Sequence, residues 1–222
     1  MKNLTLLIPA KFEKESLPQV LDEIKKLNCK KKVILAEDDL ETINSIKNHE
    51  IEIIYQDNRG FGDALITGIN ALDTEYFCIF NADGSFDPKE ISEMLNILID
   101  PKIDFVFASR YQGNSSSEDD TLVTLLGNKI FSTLGKILFR LPITDILYNF
   151  VVGKSDMAKR LNLQEKDFSF CVEFPIKAKK LGMKMISSNA HERKRIAGFK
   201  KVNAIKDGSM ILIKMFGLFF SK

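Results

Sequence analysis

An α/β fold, with a mostly parallel sheet and helices on both of its faces, is what this 222-residue sequence predicts. Three observations predict it. Short apolar runs recur at Leu4–Ile8, Val33–Leu35, Ile51–Tyr55, Tyr76–Phe80 and Ile103–Ala108, each of the length of a buried strand. Amphipathic stretches of helical period separate them. The residues just after each run are polar, as expected where strand ends open on a binding crevice.

The elements come in order along the chain. The first run reads as a strand ended by Pro9. Ser16 and Gln19 have capping-box spacing ahead of Val20, Leu21, Ile24 and Leu27, which share one helix face. Asp87 and Glu90 repeat that spacing, with Pro88 at the first helical position. Gln112–Asp120, with three serines and three acids, reads as a solvated loop or lid between a 1–111 half and a 112–222 half of a single domain. Beyond it come an amphipathic stretch from Thr121 to Phe139, a strand near Phe150, a helix around Glu173–Leu181 and a final apolar helix.

Composition bounds the function. Hydrophobic residues make up 45% and charged residues 28%, an ordinary globular mixture. The 32 Lys and Arg nearly cancel the 30 Asp and Glu, so no global field draws the chain to nucleic acid, and no nucleic-acid partner is expected. Three dispersed cysteines, Cys29, Cys78 and Cys171, argue against a disulfide framework and point to a reducing, cytoplasmic compartment. The apolar start is too short for the core of a signal peptide, and no run reaches roughly 18 uninterrupted apolar residues. No membrane crossing is therefore expected.

The strongest candidate site is Phe80–Asp87, where a buried strand ends in Asp83 and Asp87 around Gly84 and Ser85. A carboxylate there can hold Mg²⁺ or Mn²⁺ with positions open to diphosphate oxygens; Asp87 is better placed to cap the next helix. Asn58-Arg59-Gly60-Phe61-Gly62 offers a glycine loop for close phosphate approach, or a tight strand-to-helix turn. Glu37, Asp38 and Asp39 can accept bonds from a base or ribose, or be merely solvated. Arg110 in Ser109-Arg110-Tyr111 carries a planar fork for phosphate, with a surface ion pair as the alternative. Arg193, Lys194, Arg195, Lys200 and Lys201 cluster around Gly198 and suit phosphate. His191 reads as an ordinary structural histidine, and Asp145 and Glu173 each as a general base or a turn acid.

Together these pieces resemble the family 2 glycosyltransferases of the GT-A fold, more narrowly the polyprenyl-phosphate type that includes dolichol-phosphate mannosyltransferase. The family's opening P-x-Y-N-E stretch is matched by Pro9 and Glu13, with the downstream Glu15, Ser16 and Leu17 also fitting, and with Lys11 and Phe12 in place of the tyrosine and asparagine. Its paired acids resemble Glu37-Asp38 or Asp38-Asp39. The N-x-G-x-G-x-A pattern stands as Asn58, Gly60, Gly62 and Ala64, and the D-x-D metal motif as Asn81-Ala82-Asp83. Ser109-Arg110-Tyr111 matches its S-R-Y, Asp145 the aspartate before its S-G-F, and Glu173 a glutamate facing the site. The terminal R-x-x-G-x-S-K stands as Arg195 to Lys201, with Lys200 replacing serine.

The resemblance implies an inverting, metal-dependent transferase using a nucleoside-diphosphate sugar. Pro9, Ala10, Glu13, Glu37, Asp38, Asn58, Gly60, Gly62, Asn81 and Asp83 are implied on the donor side, with Asp83 as metal ligand. Ser109, Arg110, Arg195 and Lys201 are implied on the acceptor or phosphate side, and Asp145, Glu173 and Arg110 as catalytic. A lipid monophosphate acceptor is largely ionised near pH 7 and needs little general base; a glycan hydroxyl needs a carboxylate. The apolar stretches 121–139 and 210–220 suit core packing, a homodimer contact, or the cytoplasmic face of a membrane. A degenerate nucleotide- or partner-binding domain is the alternative, motivated by Lys11, Phe12, Asn81 and Lys200. A nucleotidyltransferase is disfavoured, because Pro9–Glu13 is not a glycine-rich basic loop.

Overall fold

The computed structural model describes residues 1–221. Five parallel strands come first: β1 (Leu4–Pro9), β2 (Lys30–Leu35), β3 (Glu52–Tyr55), β4 (Tyr76–Ile79) and β5 (Phe105–Ser109). Between them run helices α1 (Leu17–Glu23), α2 (Leu40–Ser45), α3 (Phe61–Asn70) and α4 (Glu90–Leu98). After β5 come β6 (Ser116–Ser117), α5 (Leu122–Phe139), β7 (Val151–Lys154), α6 (Ser155–Arg160), α7 (Phe170–Lys180), β8 (Met185–Asn189), β9 (His191–Glu192) and α8 (Lys206–Phe220).

The main sheet has the order β3-β2-β1-β4-β7-β5-β8, and β7 alone among these runs antiparallel. Strand alternation sorts its side chains into two cores. Leu6, Ile8, Val33 and Leu35 face α1 and α4, whose Leu17, Val20, Ile91 and Met94 cover them. Leu7 and Ile34 point the other way, into a core with Ala64 and Leu65 of α3 and Phe174 of α7. Burial of each such side chain contributes about 1.5–3 kcal/mol, so a one-residue register slip, which would swap the two cores, is strongly disfavoured.

The expected strands are all present; β7 and β8, which complete the sheet from the second half of the chain, differ in how visible they are in the sequence. β7 comes directly after Phe150, whereas β8, buried at Met185, Ser187 and Ser188, has too few apolar residues to stand out. Neither expected capping box forms, the side chains taking other partners. Ser16 makes no cap and donates its hydroxyl to Glu13 at 2.5 Å. Asp87 accepts from the Lys89 amide at 2.9 Å, while Glu90 reaches β9 and accepts from the His191 amide at 2.6 Å.

α5 bears on the expectation that no segment crosses a membrane. Its 18 residues have a mean hydropathy of 1.3, long and apolar enough by length and composition to cross a membrane, and 6% of them are buried. Leu122, Val123, Leu126, Ile130 and Ile137 are exposed along it. α8, which packs beside it, exposes Ile213, Phe216 and Phe220.

Candidate functional site

Parallel pairing brings the loops after β1, β2, β4 and β5 to one edge of the sheet, and the polar residues singled out in the sequence meet there. After β4 the chain turns sharply. Asp83 Oδ1 accepts from the Ser85 amide at 3.0 Å, and Oδ2 lies 3.5 Å from Arg195 Nη1. The Asp83 carbonyl accepts from the Ile196 amide at 2.8 Å. Gly84, at φ 82°, leaves the space that Ile196 fills; a Cβ there would meet Ile196 Cδ1 at 2.5 Å. The turn and the 193–196 segment are thus built against each other.

Asn81 does not face outward as a ligand. Its amide nitrogen donates to Ser85 Oγ at 2.5 Å and its oxygen accepts from the Phe86 amide at 3.4 Å, so both ends close the turn. Asp83 is left as the acid able to hold a divalent ion, and among the described residues no group of three or more His, Cys, Asp or Glu gathers as a ready metal site. One carboxylate suits Mg²⁺ or Mn²⁺ when diphosphate oxygens and waters complete the shell. The residues present therefore fit such an ion.

The loop after β1 is tied to the loop after β2 by Asp39, which accepts from the Phe12 amide at 2.7 Å and caps α2 through the Thr42 amide. Phe12 takes φ 52° in doing so, with its ring exposed. Pro9 is half-buried and Ala10 buried at this edge. Glu37 and Asp38 stay exposed, Asp38 paired with Arg59. Glu13 is buried, 6% exposed, and its carboxylate meets Ser16 and Lys201. The tie made by Asp39 escaped sequence reasoning, its one signal being the position just before α2.

Gly60 and Gly62 prove to serve packing. A Cβ on either would stand 2.1 Å from a backbone carbonyl, that of Lys166 or Glu165. The glycines admit the 165–167 segment, so close phosphate approach is not what requires them here. Asp63 holds Asn58 through its amide at 2.9 Å and its side chain at 3.2 Å. Asn58 borders a cavity of about 570 Å³ with Asp57, Asp63 and Lys166.

At the end of β5, Arg110 is 8% exposed and holds three carboxylates. Nε and Nη2 donate to the two oxygens of Asp145 at 2.8 and 3.1 Å, and Nη1 lies 3.3 Å from Glu192 and 3.4 Å from Asp120. Burial works against its charge, but Asp145 and Glu192 outweigh that and raise the guanidinium pKa. Its face lies 4.6 Å from the Tyr148 ring. Arg110 is therefore engaged internally instead of offering a free fork to phosphate. Ser109 is fully buried and accepts from Thr144 Oγ1 at 2.7 Å, which removes it from the acceptor side. Asp145, fully buried, is brought to the site but with both oxygens on Arg110.

Glu173 is corrected more sharply. Its buried carboxylate accepts from the Gln164 amide at 3.0 Å and the Glu165 amide at 2.8 Å, with Lys177 Nζ at 2.8 Å. It anchors the segment that packs on Gly60 and Gly62. His191 is structural as read: it binds Ser116 and lies 3.0 Å from Glu118. The Gln112–Asp120 loop is tied to the segment after β8 by β6 and β9, which pair in parallel as a separate two-stranded sheet. That pairing delivers Asp119, Asp120 and Glu192, acids that sequence spacing did not mark, to the site. Arg195 and Lys200 meet Asp119, and Lys201 meets Glu13. Cations and carboxylates thus face each other across Asp83, an arrangement suited to a metal-bound diphosphate.

Comparison with known proteins places the chain in a family and a fold. Residues 5–161 match the family described as Glycosyl transferase family 2. A protein of Mycobacterium tuberculosis H37Rv described as an uncharacterized glycosyltransferase is 24% identical over 210 residues, 95% of this chain and 94% of its own. The UDP-N-acetylglucosamine–dolichyl-phosphate N-acetylglucosaminyltransferase of Methanococcus voltae is 27% identical over 135 residues, 59% of this chain and 54% of that one. The crystal structure of glucosyl-3-phosphoglycerate synthase from Mycobacterium tuberculosis with Mn²⁺, UDP and glucosyl-3-phosphoglycerate superposes with a TM-score of 0.77 at 12% identity, covering 98% of this chain and 80% of the other.

Two outcomes are expected from these contacts. Replacing Glu173 by Gln puts an NH₂ against amide donors and should lower stability in urea denaturation by about 2–3 kcal/mol; an unchanged midpoint would show the carboxylate free for chemistry. Burial chiefly lifts the Glu90 carboxyl from 4.5 to about 7. Between those values the folded state binds the extra proton, so stability falls as pH rises from about 4.5 to about 7. Glu90→Gln should flatten that part of the curve in thermal melts across pH.

Proposed function

We propose that this chain, which belongs to glycosyl transferase family 2 and has the GT-A fold, transfers a sugar from a nucleoside diphosphate to a polyprenyl phosphate, with inversion at the anomeric carbon. The observation that carries this reading is Asp83 at the end of the sheet's central strands, faced by Arg195 and neighboured by Lys200 and Lys201. A bound Mg²⁺ or Mn²⁺ would neutralise charge on the departing diphosphate. Arg195, Lys200 and Lys201 are the chain's own cations placed to share that task. Donor-side contacts are assigned to Pro9, Ala10, Glu13, Glu37, Asp38 and Asn58 at the same edge.

The acceptor assignment rests on two features. Asp145 and Glu173 are both engaged by internal donors, which favours a nucleophile that needs no general base. A lipid monophosphate, with a second pKa of about 6, is largely ionised at neutral pH. Its oxygen attacks the anomeric carbon as the bond to the diphosphate breaks, the electron pair leaving with the diphosphate. The exposed apolar faces of α5 and α8 support attachment to a membrane surface, such as the cytoplasmic leaflet, where such a lipid resides. α5 carries Lys129 and Lys136 and no acid, which suits anionic headgroups. The dolichyl-phosphate specificity in the name of the Methanococcus voltae relative points the same way.

Calorimetric titration of UDP, GDP, CDP and dTDP, each with and without Mn²⁺, tests the donor site. One nucleotide should bind in a Mn²⁺-dependent manner, and Asp83→Ala should weaken it about tenfold or more. A folded wild type that binds none of the four would instead indicate a partner-binding scaffold. Co-sedimentation with vesicles containing anionic phospholipid tests the surface: the Leu126→Glu/Ile130→Glu pair should abolish it while leaving nucleotide affinity unchanged. No sedimentation of the wild type would favour a soluble glycan acceptor, and a concentration-dependent dimer would assign the face to a second copy.

A further inference from the structure

The lid supplies one half-buried acid that neither the fold nor the donor assignment uses. Asp119 lies near the end of the Gln112–Asp120 loop, its side chain 13% exposed. It accepts from Arg195 Nε at 3.2 Å and Nη2 at 2.8 Å, the side-by-side geometry that fixes a guanidinium plane. Lys200 Nζ lies 3.2 Å from the same carboxylate and also meets the Asp119 carbonyl. The remaining Arg195 nitrogen, Nη1, is the one 3.5 Å from Asp83. One guanidinium therefore bridges the lid acid and the candidate metal ligand, and its distances place it more firmly on the lid.

We propose that Asp119 is a positioning residue that holds Arg195 and Lys200 over Asp83 and so sets the balance there between a divalent cation and an anionic diphosphate. The inference rests on the donor-site reading above. Three cations, Arg195, Lys200 and Lys201, face three carboxylates, Asp83, Asp119 and Glu13, so these six charges cancel. With Asp119 holding Arg195, Asp83 keeps enough negative potential to take a metal ion. The diphosphate then meets cations already aligned by the lid. Lys200, 3.2 Å from the Asp119 carboxylate, adds a second positive charge for it to hold.

Removing one charge should move the two ligands in opposite directions. Asp119→Asn leaves three cations against two acids, so Mn²⁺ alone should bind about fivefold more weakly and metal-free UDP or GDP about fivefold more tightly. Arg195→Met leaves two cations against three acids and should reverse both shifts. Asp119→Glu keeps the charge and should stay near wild type. Mn²⁺ binding is read by electron paramagnetic resonance and nucleotide binding by calorimetry, with thermal midpoints confirming that each variant is folded. Affinities that do not move, or that move in the same direction for both ligands, overturn the proposal, since general damage to the site weakens everything together. If Asp119→Asn does not fold, Asp119→Ser, which removes the same charge, is read by the same signs. A wild type that binds neither Mn²⁺ nor nucleotide sinks the donor-site reading and this inference with it; a wild type that binds both, with unmoved variants, sinks this inference only.

Discussion

A buried guanidinium must find acceptors within the protein, and much of the second half of the chain is arranged to meet that demand at Arg110. Leaving such a charge unpaired costs several kcal/mol, so the loop before β7, the lid and β9 must each bring a carboxylate to it. Asp145, Asp120 and Glu192 do so from three separate segments. Tyr111 joins them, donating to Asp120 at 2.6 Å and accepting from Asn128 of α5 at 2.9 Å. The lid, the long apolar helix and the strand leading to the basic segment are therefore linked by one charge.

From that hub the chain runs only a few residues to the chemistry. Glu192 binds Arg110, Arg193 pairs with Glu23 of α1 at 2.7 Å, and Arg195 bridges Asp119 and Asp83. The C-terminal segment is thereby laid across the loops after β1 and β4 by ion pairs together with backbone bonds from the Arg193 and Ile196 amides to the Ser85 and Asp83 carbonyls. Ion pairs of this sort exchange readily with a charged ligand, because a diphosphate and a divalent cation offer the same groups equivalent partners. A rigid sheet edge closed by exchangeable charge is a reasonable way to admit and enclose a polyanionic donor.

The strands were legible because burial on both faces writes continuous apolar runs, as in Leu4–Ile8 and Tyr76–Ile79. Asp83 was legible because it lies just beyond such a run. β8 was hidden by its serines, and the capping boxes at Ser16 and Glu90 failed because Glu13 and His191, distant or off-pattern partners, competed for the same side chains. The glycine pair at 60 and 62 was visible but its purpose was not: only the folded chain shows that residues 165–167 press against it.

By itself, the sequence determined the fold class and marked the strand ends, Asp83 among them, as the candidate site, since these depend on local periodicity and on the residue types at each strand's carboxyl end. Tertiary structure decided which charged groups remain free. Arg110, Asp145 and Glu173 have the residue types of catalytic groups, yet each is saturated by partners brought to it by the packing of other segments. Asp119, unremarked in a polar loop, is brought onto Arg195 and Lys200 by a two-residue parallel pairing. Spacing along a chain fixes which groups exist and where strands end; the pairing of charges is a property of distance in space, which only the packed fold supplies.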